Sequence, residues 1–99
     1  MTDYRLKQEH KKKDERKVTF RIQRKVEDKY GRSSWRMTLW RLEWFPNKLD
    51  WRLIEATHSN GRHGAGYWKQ ITHASFGDRL ESEVVDLAIP TALLCGLES

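Results

Sequence analysis

The side chains of this sequence best suited to chemistry are its cations. The 99 residues hold 19 Lys/Arg against 14 Asp/Glu, a formal net charge of +5. Lys11, Lys12, Lys13 and Lys17 crowd one charged run, and Arg21, Lys25, Arg36, Arg41 and Arg52 follow within segments of strand-like pattern. Cations at alternate positions of neighbouring strands form a positive plate, which attracts phosphates and releases them as salt rises. Arginine is the more telling of the two, because its planar fork pairs two oxygens at once. The same residues also suit a solvated strand face, partly neutralised by Glu27, Glu43 and Glu55. Basic charge alone does not separate nucleic acid from an acidic protein partner.

The charge is unevenly placed. Residues 1–36 carry 13 Lys/Arg against 6 Asp/Glu, whereas residues 37–99 carry 6 against 8. The amino-terminal third is therefore the cationic end, and the segment from Gly77 onward is acidic.

Aromatic residues are the second resource. Four of the five tryptophans fall between Trp35 and Trp51. Trp35, Met37 and Leu39 alternate with polar residues, and Trp40, Leu42 and Trp44 do so one residue out of phase. A β-bulge near Leu39 and Trp40 is expected to turn both halves toward one core. On this reading those indoles hold the fold rather than stack on a ligand. Tyr30, Arg62, Tyr67 and Trp68 lie in or beside loops and are the expected exposed contacts, since aromatics and Arg dominate binding hot spots.

Other chemistries find little support. His58, His63 and His73 share a short span, but their spacing matches no zinc pattern and Cys95 is remote in sequence. The loop from His58 to Gly66 is glycine-rich without the spacing of a phosphate-binding loop. No nucleophile, base and cleft can be assembled into an active site. The expectation is a non-enzymatic protein with no catalytic residue, no metal and no cofactor. A single cysteine suits a reducing compartment. No apolar run approaches the length of a membrane span, and no secretory leader pattern is present. The expected location is the cytoplasm.

The elements that must position these residues follow from periodicity. Residues 1–17 read as a charged arm, flexible or a solvated helix, and residues 18–99 as one α+β domain. Val18 to Val26 is the first strand, with Val18, Phe20 and Ile22 on one face and Lys17, Arg21 and Lys25 on the other. The tryptophan segment is the second, turned by Phe45-Pro46-Asn47-Lys48. Lys48 to Thr57 is the third and Tyr67 to Phe76 a fourth, whose faces are not cleanly apolar. Asp78-Arg79-Leu80-Glu81 reads as a capping box for a helix carrying Leu80, Val84, Leu87 and Ala88 on one face. Pro90 is expected to stop or kink that helix, and Gly96 to end the segment beyond it. The predicted architecture is an antiparallel meander of about four strands with one face packed by the C-terminal helix.

Three functions suit such a chain. The first is binding of nucleic acid through phosphate contacts with little sequence preference. The second is an inhibitor or accessory protein docked on a larger, nucleic-acid-processing machine. The third is a homo-oligomer built by pairing of edge strands.

Overall fold

A computed structural model of the chain describes residues 3–9, 17–60 and 66–98, with the side chains of 59 and 60 left aside. Five strands form one antiparallel sheet in chain order: β1 (Tyr4–Gln8), β2 (Thr19–Glu27), β3 (Ser33–Phe45), β4 (Asp50–Asn60) and β5 (Gly66–Gly77). One helix, α1 (Glu81–Cys95), covers one face. The meander and its helix are as expected, with five strands rather than about four.

The additional strand comes from the segment read as a charged arm. Tyr4 and Leu6 alternate with Arg5 and Lys7, so one face of β1 is apolar although its composition is charged. Tyr4 is buried against Ile22, Trp40 and Ala92, and this packing fixes the strand on the edge of β2. Lys11, Lys12 and Lys13 lie outside the described residues.

The bulge expected near Leu39 and Trp40 is present, but its size changes the outcome. Arg21 pairs with Arg41 and Gln23 with Met37, so Ile22 alone opposes Thr38, Leu39 and Trp40. Two extra residues preserve the alternation, whereas one would have reversed it. Trp35, Met37 and Leu39 therefore share a face with Arg41, opposite the helix, and not with Trp40 and Leu42. The Thr38 hydroxyl closes the irregularity: it donates to the Ile22 carbonyl at 2.7 Å and accepts from the Trp40 amide at 3.2 Å. Backbone groups that the ladder leaves unpaired are thereby satisfied.

Beyond Phe45 the chain reverses through a short 3-10 turn, Pro46–Lys48, with Leu49 in left-handed conformation at φ 46°. Two register shifts between β4 and β5 explain the mixed faces read from the sequence. Trp68, Gln70 and Thr72 face away from the helix, while Ala74 and Phe76 pack in the core. In total three indoles serve the core: Trp40 and Trp51 are buried, and half-buried Trp44 packs beside Trp51.

The helix buries Val84, Ala88 and Ala92, at spacings of four that keep one line on the sheet. The capping box does not form. Leu80 is the N-cap and supplies no side-chain bond; its carbonyl instead accepts the amides of Glu83 and Val84. The helix also continues through Pro90 to Cys95. An interior proline costs a helix about 3 kcal/mol; burial of Ala88 and Ile89 before it and Ala92 and Leu93 after it offsets that cost. Gly96, at φ 116°, ends the helix as expected, and the Leu97 amide bonds the Ala92 carbonyl at 2.9 Å.

Candidate nucleic-acid interface

The sheet face opposite the helix, the outer face, gathers most of the polar chemistry. Strand alternation sends Arg5 and Lys7 of β1, Arg21, Gln23 and Lys25 of β2, and Arg41 and Glu43 of β3 to this side. Arg52, Ile54 and Ala56 of β4 and Trp68 and Gln70 of β5 continue it.

Its centre is an ordered network of ions. Glu43 is only 3% exposed and accepts Lys17 Nζ at 3.2 Å and Arg41 Nη1 at 3.3 Å. Arg21 reaches Glu9 at 3.5 Å through Nη1 and donates to the Thr38 carbonyl at 3.1 Å through Nη2. The Nε atoms of Arg21 and Arg41 are both buried and have no hydrogen-bond partner among the described residues. Arg52 is held by Asp50 at 2.8 Å, and its guanidinium lies 4.9 Å from the Phe45 ring centre. Asp50 also accepts the Ser75 hydroxyl and, at 2.8 Å, the Gly77 amide. Burial would raise its carboxyl, but the bonds from Arg52, Ser75 and Gly77, with the Arg52 charge, hold it below the usual range.

Toward β1 the face becomes less neutralised. Arg5 donates to Gln23 at 2.6 Å and its guanidinium sits 4.3 Å above the Trp35 ring. Lys7 and Lys25 are exposed and form no ion pair with the described residues. Toward β5 the face becomes apolar: Leu39, Ala56 and Trp68, with Arg41 and Gln70, line a shallow hollow of about 240 Å³.

The predicted contact residues thus divide. Lys17, Arg21, Arg41 and Arg52 come together, and Lys25 extends the same face beside Trp35. Arg36 does not join them; it pairs with Arg24, on the side that carries the helix. Tyr30 is exposed in the β2–β3 turn, remote in register from Trp68. Tyr67 is exposed, but strand alternation sends it to the side opposite Trp68. Arg62 lies outside the described residues. Sequence reasoning missed Arg5, Lys7, Trp35, Met37 and Leu39 as outer-face residues. The alternation of Arg5 and Lys7 with Tyr4 and Leu6 was the available signal for the first two.

The histidines do not converge. His73 bonds Glu55 at 2.9 Å and stacks on Trp40 at 4.3 Å, on the helix side. His58 stands against Trp68 on the outer face, and His63 is outside the described residues. Among the described residues no group of His, Cys, Asp or Glu is placed to hold a metal ion. Nor is any described helix long and apolar enough to cross a membrane.

On the opposite side exposed acids gather on the helix, although the cations Arg24 and Arg36 stand on the same side of the sheet. Exposed Glu81, Glu83 and Asp86 lie on α1, with Glu98 just beyond its end. Comparison with protein-family models, curated proteins and solved structures gave no match.

Proposed function

We propose that this protein is a small, non-enzymatic module that binds nucleic acid across the outer sheet face, through phosphate contacts with little sequence preference. The observation that carries this reading is the segregation of charge and rings. Arg5, Lys7, Arg21, Lys25 and Arg41 share a face with Trp35 and Trp68, while exposed acids occupy the helix behind. A polyanion approaching such a molecule is drawn to the outer face and repelled by the acidic helix. Arg21 and Arg41 are held by Glu9 and Glu43, and Arg5 by Gln23 and the Trp35 ring, so little side-chain freedom is lost when a phosphate meets them. Arg41 keeps N–H groups that no described acceptor engages, and an arginine fork presents several donors. The exposed, free Cys95 suits a reducing compartment such as the cytoplasm.

The test is oligonucleotide affinity across a salt series. The logarithm of the binding constant is expected to fall linearly with the logarithm of salt, with a slope of roughly −0.7 to −0.9 per phosphate contacted. Absence of binding at low salt, or affinity indifferent to salt, removes the proposal.

One observation favours a second reading, docking as an inhibitor or accessory protein on a larger machine. Tyr67 and Trp68 are 57% and 64% exposed at neighbouring positions of an edge strand. Exposed aromatics of this kind anchor protein interfaces. Recovery of one stoichiometric protein from a nuclease-treated lysate would favour it over the first.

A further inference from the structure

The hollow beside Trp68 is built rather than incidental. Gly66 carries no side chain, and a Cβ there would collide with the imidazole of His58. His58 can therefore lie against the β5 backbone and meet the Trp68 ring at 5.0 Å and 71°, which braces one edge of the indole. Trp68 is nevertheless 64% exposed, and its neighbours in the hollow are apolar Leu39 and Ala56. Arg41 and Gln70 supply the polar part of the lining. An exposed indole braced by His58, with a guanidinium and an amide lining the same hollow, suits a flat heterocycle attached to a phosphate. The amide offers both a donor and an acceptor to the edge of the ring.

We infer that this hollow seats one unstacked nucleobase of a single strand, Trp68 stacking on it, Gln70 bonding its edge and Arg41 holding an adjoining phosphate. The inference rests on the proposed function and narrows its ligand. A five-stranded face is too broad to enter a duplex groove, which admits a helix or a two-stranded ribbon. Stacked, paired bases are closed to an exposed indole, whereas those of a single strand are open to it. The charge of Arg41 and its neighbours complements a backbone running along the sheet.

The test measures binding of a labelled 12-nucleotide single strand, as DNA and as RNA, and of the matching duplex, at low salt. Either single strand is expected to bind at least about tenfold more tightly than the duplex. Trp68→Ala should weaken single-strand binding by about 5- to 150-fold, the range for loss of one stacked base, and leave duplex binding unchanged. Trp68→Phe should restore most of the loss, and an oligonucleotide of abasic sites should bind wild type no better than Trp68→Ala binds the normal strand. Equal, salt-dependent binding of duplex and single strand, insensitive to Trp68→Ala, overturns the base seat and leaves the phosphate reading standing. Absence of binding to all of them overturns both.

Discussion

Arg21 on β2 stands directly opposite Arg41 on β3. Like charges in that position oppose each other by about 0.2–1 kcal/mol. The fold tolerates the pair because Glu9 and the Thr38 carbonyl serve one guanidinium and Glu43 serves the other. Both Nε atoms remain buried without a partner among the described residues, so the compensation there is incomplete. An anion seated at the exposed ends of the two forks would offset the remaining repulsion.

The thermal midpoint is accordingly expected to rise when a short oligonucleotide is added, by the mass-action stabilisation of any ligand that binds only the folded state. At tenfold its dissociation constant this amounts to about 1.4 kcal/mol. Arg41→Gln should abolish most of the rise. A shift that survives in Arg41→Gln places the anion elsewhere.

Glu43 restrains the same face. Glu43→Gln leaves Lys17 and Arg41 without their shared carboxylate. Breaking a fully buried pair costs about 3–5 kcal/mol, but the partners here are 47% and 27% exposed at the side chain, so about 1–3 kcal/mol is expected after screening. Urea unfolding measures it. Oligonucleotide affinity should rise in the same variant, because a negative charge leaves the outer face. Loss of both stability and affinity would contradict this division of roles.

Asp50 gives the fold an acid limit. Its carboxyl is lowered, so the stability it contributes is fully present above the unfolded carboxyl range, near pH 4. That contribution is lost as pH falls through the lowered folded value. Unfolding free energies measured from pH 6 down to pH 2 should fall in wild type. Asp50→Asn should be less stable at pH 6 and show a flatter acid decline. Parallel acid limbs in the two proteins would remove Asp50 as a source of the decline.

The place of β1 can be tested through Tyr4. Tyr4 is 8% exposed and packs with Ile22 and Trp40. Tyr4→Ala is expected to cost about 3 kcal/mol, at the lower end for truncating a buried aromatic because the site is an edge strand. Hydrogen exchange at the Arg5 to Lys7 amides should accelerate with it. Unchanged stability would mean that β1 contributes nothing to the core.

These residues also show what was legible in the sequence. Phe20, Ile22, Leu42, Leu53 and Val84 announced the core through simple periodicity, and they are buried. The bulge was legible as a break in phase, but whether one or two residues were added was not. That depended on the Thr38 side chain bonding a carbonyl 16 positions away. Trp35 was consequently assigned to the wrong side. β1 was hidden because a strand anchored by Tyr4 and Leu6 on a neighbour looks, residue by residue, like a charged tail. The hollow at Trp68 depends on contacts between β3, β4 and β5, which local periodicity does not encode.

The most direct test of the outer face as the binding surface is a proton–nitrogen correlation titration with a single-stranded oligonucleotide. Each indole N–H gives its own signal. Those of Trp68 and Trp35, with the amides of Arg21 and Arg41, are expected to move, while the Trp51 indole and the amides of Glu81 to Cys95 stay in place. Movement confined to the helix, with Trp35 and Trp68 unchanged, would contradict the account.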